Sequence, residues 1–288
     1  MRIIIFILLF FSLQSQGQII RANPNYRPFA AAASCDSDAQ KFIDSTGITD
    51  ATQVAAICTL VKELKDSSLW TSIYAIYPMV GGTEATHKWN LKDVRNLDAA
   101  YRLTFSGTWS HSSTGADPNG TNAYANTFFN STSAGISQNS FALSYYSRQN
   151  TTENSGEMGN NGTYGSQLVI KYGGSANYSN VNTVTNEQII GSSLNTDGMF
   201  SVSRTASNIT TFYKNGQQSG NINNAASTGV SNVNLYLGAL NNGLNTAIFF
   251  SSKQCATAII SSGLTSDNER ALNTIVEKFN DALSRGVQ

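Results

Sequence analysis

The chain has 288 residues with 18 basic and 18 acidic side chains, so its formal net charge is zero. Only 12% of residues are charged, about half the share usual in globular domains, and Asn, Ser, Thr and Gly take up the difference. With 40% hydrophobic and 10% aromatic residues it is too apolar for a disordered tail. A pI near 6.7 and scattered Lys and Arg leave no basic field to hold nucleic acid.

Met1-Arg2, an apolar run from Ile3 to Phe11, and small residues at Ser15 and Gly17 predict a secretory signal peptide over 1–17. The run extends about 11 residues to Leu13, short of the roughly 20 needed to cross a bilayer. A mature chain without a membrane span, secreted to the periplasm or beyond the cell, is therefore expected. Residues 18–35 contain Pro24, Pro28 and an alanine run, which suit an extended lead-in.

Residues 36–82 read as a small helical segment. Ser37 with Gln40 has capping-box spacing, and Gly47 is a stop signal. Asp50 with Gln53 opens a second helix, in which Val54, Ile57, Cys58, Val61 and Leu64 follow helical spacing to about Asp66. Leu69, Trp70, Ile73, Ile76 and Tyr77 predict a third helix, stopped by Pro78 and Gly81-Gly82.

From residue 83 to 288 the pattern changes to short strands between Asn, Gly and Ser turns. The expected strands are Tyr101–Phe105, Ala123–Phe128, Phe141–Arg148, Gln167–Tyr172, Met199–Arg204, Ile209–Tyr213, Val233–Leu237, Ala247–Phe250 and Gln254–Ile260. Asn215-Gly216 marks a hairpin, since both residues tolerate positive φ. Thr265 and the apolar positions Leu272, Ile275, Val276 and Phe279 predict a capped, amphipathic C-terminal helix. Strands in this number and spacing indicate a mainly β sandwich or jelly roll.

Gly115 to Ala125, Thr211-Phe212-Tyr213-Lys214-Asn215-Gly216, Asn234 to Ala239, and Cys255 to Thr265 with its trailing helix occur in a distinctive order. That order resembles laminin-G-like and concanavalin A-like jelly rolls of the lectin–glucanase group. The front of the chain, with Ala75-Ile76-Tyr77-Pro78, Val80-Gly81-Gly82-Thr83 and His87 to Asp93, is similar to phage virion or tail-associated proteins and their bacterial relatives. The resemblance implies a jelly roll that recognises a surface ligand, and laminin-G-like relatives imply calcium among Asp and Asn side chains. Asp117 and Asn119 are the calcium candidates, with Asp197 as another. The same Asx residues stabilise turns without metal.

Hydrolysis on such a fold needs two carboxylates at fixed separation, as in Glu-x-Asp-x-x-Glu on one strand face. That run is missing. Glu153 and Glu157 flank a turn-like Asn154-Ser155-Gly156, where a surface ion pair with Arg148 is expected. His87 and His111 sit in no nucleophile motif, and His111 reads as part of a polar loop. The chain is therefore expected not to be an enzyme.

Sugar binding uses an aromatic platform and amide groups on a loop rim. Trp109, Tyr145, Tyr146, Tyr164, Tyr172 and Tyr178 are available as rings, and two loops combine rings or turns with amides. Trp109, Asn119, Asn122 and Tyr124 in the first, and Asn241 and Asn242 in the second, are the candidate ligand residues. The expected partner is a surface glycan or cell-surface protein; a structural or receptor-binding role on a virion is the alternative, and a polysaccharide hydrolase a weaker one. Of the three cysteines, Cys58 shares a helical face with apolar neighbours, which leaves Cys35 and Cys255 as the expected disulfide.

Overall fold

The computed structural model describes residues 35–172, 178–184, 195–220 and 224–287. The expected signal peptide and residues 18–34 of the lead-in lie outside them. Cys35–Gln288 forms one compact unit.

Helices α1 (Ser37–Thr46) and α2 (Ala51–Asp66) precede β1 (Ile73–Tyr77) and the one-turn α3 (Glu84–His87). Next come β2 (Thr104–Ser106), β3 (Trp109–Ser112), β4 (Gly115–Pro118), β5 (Tyr124–Asn130) and β6 (Phe141–Ser147). They are followed by β7 (Met158–Asn160), β8 (Gly165–Leu168), β9 (Asn180–Thr183), β10 (Gly198–Ala206) and β11 (Ile209–Lys214). The chain closes with β12 (Gln217–Gln218), β13 (Asn234–Leu237), β14 (Leu240–Asn241), β15 (Ala247–Ile248), β16 (Cys255–Ser261) and α4 (Ser266–Ala282).

The strands form two sheets. Sheet 1 is ordered β12-β11-β10-β6-β16-β4-β3, with β1 also paired to β16. Sheet 2 is ordered β15-β14-β7-β13-β5-β2, with β8 joining β7 to β9. Leu143, Tyr145, Phe200, Val202 and Ile260 of sheet 1 meet Ala125, Phe129, Met158, Leu235 and Leu237 of sheet 2 in one core. The opposite face of sheet 1, with Ile76, Tyr146, Met199 and Ile259, packs on Phe42, Leu60, Leu64, Leu272 and Val276 from the helices. The molecule is thus mainly β: a two-sheet sandwich with N-terminal helices and a C-terminal helix.

Local signals hold where they are local. Asp50 accepts from the Gln53 amide and Thr265 from the Asn268 amide, capping α2 and α4. In α1 the cap is Asp36 rather than Ser37, with its carboxylate accepting from Asp38 N. Asn215 and Gly216 sit at φ 50° and 70°, linking β11 to β12 as the turn chemistry requires. Each strand expected between 101 and 260 has a counterpart, with ends moved by a few residues.

The third expected helix is instead a single 3-10 turn, Trp70–Ser72, followed by strand β1. Ile73 and Ile76 face the helices, whereas Ala75 and Tyr77 enter the inter-sheet core. With both faces buried there is no polar alternation, and the apolar spacing imitates a helix. β-Branched and aromatic side chains, together with pairing to β16, decide the outcome.

The expected Cys35–Cys255 disulfide is also corrected. Cys35 is bonded to Cys58, with Cα atoms 5.1 Å apart. Lys65 near the end of α2 bonds Asp36 and Asp38 at the start of α1, each at 2.7 Å, so the helices run antiparallel and bring the two cysteines together. Cys255 is buried in the inter-sheet core as a free thiol, and burial pushes its pKa well up. Among the described residues no helix is long and apolar enough to cross a membrane.

Candidate functional site

Strand β3 and the end of β4 bring two of the expected ligand residues, Trp109 and Asn119, to one side of an open cleft of about 770 Å³. Thr108, Trp109, Ser110, Asp117, Pro118 and Asn119 line that side, and Arg148, Gln149, Asn150, Thr151 and Ser252 line the other. The second wall exists because β6 pairs with β16, so that the residues following β6 lie beside those preceding β16. No sequence pattern marks Gln149, Asn150, Thr151 or Ser252, because sheet pairing alone brings them to Trp109.

Trp109 is half-buried and fixed on several sides. Its Nε1 donates to the carbonyls of Ser106 at 3.0 Å and Tyr124 at 3.3 Å. Phe105 meets its ring edge-on at 5.1 Å, and His111 lies nearly parallel at 6.2 Å. A Cβ at Gly238 would stand 2.8 Å from Trp109 Cη2, so the backbone itself closes one side of the indole. The ring is held in place before any ligand arrives.

His111 belongs to β3 and not to a polar loop. Its Nδ1 is hydrogen-bonded to Nδ1 of the fully buried His87 at 2.9 Å. Burial and, next, the neighbouring His111 hold the His87 pKa down to about 3. Burial lowers that of His111 as well.

Across the cleft, Arg148 Nε donates to the Arg285 carbonyl at 2.8 Å, and Nη1 to Gln254 Oε1 at 2.7 Å. The expected surface pair with Glu157 does not form. Thr151 Oγ1 is buried without a hydrogen-bond partner among the described residues. Asp117 has its carboxyl pKa raised by burial. The cleft therefore presents one indole, several amides and hydroxyls, one guanidinium and one carboxyl.

The other expected residues go elsewhere. Asn122 is exposed, and its Oδ1 accepts from Thr108 N at 3.0 Å and Asn119 Nδ2 at 2.8 Å, bracing the rim. The Tyr124 ring stacks on Tyr236 at 4.7 Å, outside the cleft lining. Asn241 is buried, its Oδ1 accepting from Gly243 N and Asn245 N while Nδ2 donates to the Asn234 carbonyl. Asn242 Oδ1 accepts from Leu244 N and Thr246 N. Both are occupied in building their own turn. Tyr145 lies in the inter-sheet core and Tyr146 under the helices, donating to Glu277.

The calcium donors do not fit a cation. Asn119 Oδ1 already accepts from Thr121 N, Asn122 N and Ala123 N at 3.0–3.1 Å. Asp117 is left without a second carboxylate, and no group of three His, Cys, Asp or Glu side chains is poised for a metal among the described residues.

Glu153 and Glu157 also differ from expectation. Both bond Lys253 Nζ through Oε1, at 2.8 and 2.9 Å, and Lys253 and Glu157 are fully buried. Glu157 Oε2 accepts from Ile170 N at 2.6 Å, and Ser155 Oγ donates to both carboxylates. Burial raises the Glu153 pKa and Lys253 opposes it, leaving a net lowering. This is an internal ion-pair cluster behind the cleft.

No protein-family model matches the chain, and no curated protein sequence matches it. Among solved structures it is similar to domain 4 of AbnA, an extracellular arabinanase from Geobacillus stearothermophilus, in complex with arabinotriose. That likeness has 15% identity and a TM-score of 0.45, covering 70% of this chain and 98% of the domain. A mutant Trypanosoma rangeli sialidase displaying trans-sialidase activity gives 11% identity and a TM-score of 0.47, covering 82% of this chain and 40% of the sialidase. The same sialidase with sialic acid gives 12% and 0.47, over 75% and 38%. The chain thus spans about two fifths of the sialidase length. The likeness is distant and concerns the β-sandwich.

Proposed function

We propose that this protein is an exported, non-catalytic recognition protein that binds an uncharged surface glycan in the Trp109 cleft of a concanavalin A-like jelly roll. The observation that carries this reading is the fixed indole on the rim of a cleft whose other groups are mostly amides and hydroxyls. A sugar ring presents an apolar C–H face to an indole and hydroxyls to such groups. The Cys35–Cys58 disulfide supports an oxidising compartment.

The non-catalytic part of this reading is supported by the two glutamates. Glu157 is out of solvent and Glu153 is tied to Lys253 and Ser252, so neither is free to protonate a leaving group or activate water. Arg148 and Asp117 bring opposite charges to the cleft, so an uncharged ligand held by short-range contacts should bind almost independently of salt.

A glycan array probed with the mature chain, with and without calcium, tests the reading. Binding should occur equally in both conditions, persist at high sodium chloride, and fall about tenfold or more in Trp109→Ala, as expected for loss of a buried aromatic anchor. Binding that collapses with salt and ignores Trp109→Ala would show an anionic partner at another surface.

A further inference from the structure

The second sheet carries a separate cavity. Leu168 and Ile170 enter the inter-sheet core, so Gln167 and Val169 point to the opposite face of sheet 2. There Gln167, Val169, Leu240, Tyr172, Tyr178 and Phe249 line a pocket of about 230 Å³. Tyr172 meets Tyr178 at 5.0 Å and Phe249 at 6.0 Å, both nearly edge-to-face. Val169 and Leu240 supply aliphatic surface.

Two features are not explained by packing. Gln167 is only 3% exposed; its Nε2 donates to the Tyr178 carbonyl at 2.7 Å, yet Oε1 is buried with no partner among the described residues. Native proteins rarely leave such an acceptor unpaired. Phe249 is held at φ 55° with its ring partly exposed, while its carbonyl accepts from Gly156 N at 2.8 Å. A bulky residue adopts that backbone only where the surroundings impose it.

The lining sets the ligand's chemistry. No charged side chain among the described residues lines the pocket, which suits a neutral ligand. The unpaired amide oxygen requires a donor, the aromatic rings favour a C–H ring face, and Val169 with Leu240 favour a small apolar group. An acetamido sugar has all three in its N–H, its pyranose ring and its acetyl methyl. A plain hexose would replace the methyl with a hydroxyl set against aliphatic carbon, where it loses water without a partner.

We propose that this pocket binds a single 2-acetamido sugar residue, with its amide N–H donating to Gln167 Oε1 and its methyl against Val169 and Leu240. The assignment rests on the glycan-binding reading but concerns a different cavity. The two cavities back onto one carboxylate: Ser155 of the pocket and Ser252 of the cleft both donate to Glu153, at 3.0 and 2.6 Å.

The test is a nuclear magnetic resonance titration of the full mature chain with N-acetylglucosamine, glucose, and an analogue methylated on the amide nitrogen. N-acetylglucosamine should shift the Gln167 side-chain amide and the Tyr178 and Phe249 rings. Its affinity should exceed that of glucose and of the methylated analogue by about tenfold or more, the cost of leaving one buried acceptor unpaired. Phe249→Ala, at a partly exposed position, should weaken it comparably, whereas Leu244→Ala, on an exposed loop outside the pocket, should not. Equal binding of the methylated analogue, or no binding, overturns the assignment. Shifts confined to the Trp109 indole would overturn it too, while leaving the cleft reading intact.

Discussion

His87 and His111 share one short contact, Nδ1 to Nδ1 at 2.9 Å, directly behind the ring of Trp109. One nitrogen donates and the other accepts, so the contact survives only while at least one ring is neutral. The His87 pKa, held to about 3, lies below the unfolded value near 6.5. The unfolded chain therefore binds more protons in that window, and stability falls as pH drops from about 6.5 toward 3. The limiting slope is about 1.4 kcal/mol per pH unit for this group. Urea midpoints compared between the wild type and His87→Gln at pH 7 and pH 5 should isolate this contribution: the wild type should lose more stability, or gain less, than the variant as the pH falls.

Glu269 acts in the opposite sense. It is buried in α4, accepts from Ser201 Oγ at 2.6 Å, and burial pushes its pKa up to about 7. The folded state thus holds a proton that the unfolded carboxyl releases near 4.5. Its contribution is present below that value and is lost as pH rises toward 7. Between about 4.5 and 6.5 the two groups offset one another. Glu269→Gln should add about 3 kcal/mol at pH 8 and little at pH 4, by denaturant unfolding at each pH.

Lys253 is the only cation bonded to the buried carboxylate of Glu157 among the described residues. Removing it leaves a buried carboxylate that keeps its hydrogen bonds from Ile170 N and Ser155 Oγ but has no opposite charge beside it. Lys253→Met should cost roughly 3–5 kcal/mol. Adding Glu157→Gln to the same chain should recover part of that loss, because the uncompensated charge is gone. Thermal melts of the single and double variants check the coupling.

The Cys35–Cys58 bond closes a loop spanning 23 residues. Its removal in Cys35→Ser/Cys58→Ser should lower stability by about 3 kcal/mol through the freedom gained by the unfolded chain. Cys255 remains buried, so labelling of the native variant with an exposed-thiol reagent should stay low. Rapid labelling of native Cys255 would show that the sandwich core has opened.

The sequence showed most clearly what neighbouring residues decide. Caps at Asp50 and Thr265 and the Asn215-Gly216 turn involve contacts within a few residues, and each is where the pattern put it. β1 was hidden because helices cover one side and a second sheet the other, which removes the alternation that marks a strand. The cleft was legible in half: Trp109 and Asn119 follow from an aromatic–amide pattern, whereas Thr151 and Ser252 depend on strands more than a hundred residues apart. Amide-rich turns also misled, since Asn241 and Asn242 spend their side chains on their own backbone. The Cys35 pairing required knowing that α1 doubles back along α2.

Strand β16 sits beside β6 along one edge, and its other edge meets Ala116 of β4 and residues 73–77 of β1. Three stretches from more than a hundred residues earlier in the chain thus converge on one strand. A nascent chain stopped at residue 250 would contain every strand of sheet 1 except the one that joins them. Its β6 edge and the apolar side chains of β1 would stay open to solvent and to other chains. Closure of sheet 1 consequently depends on residues 255–261, in a single joining step.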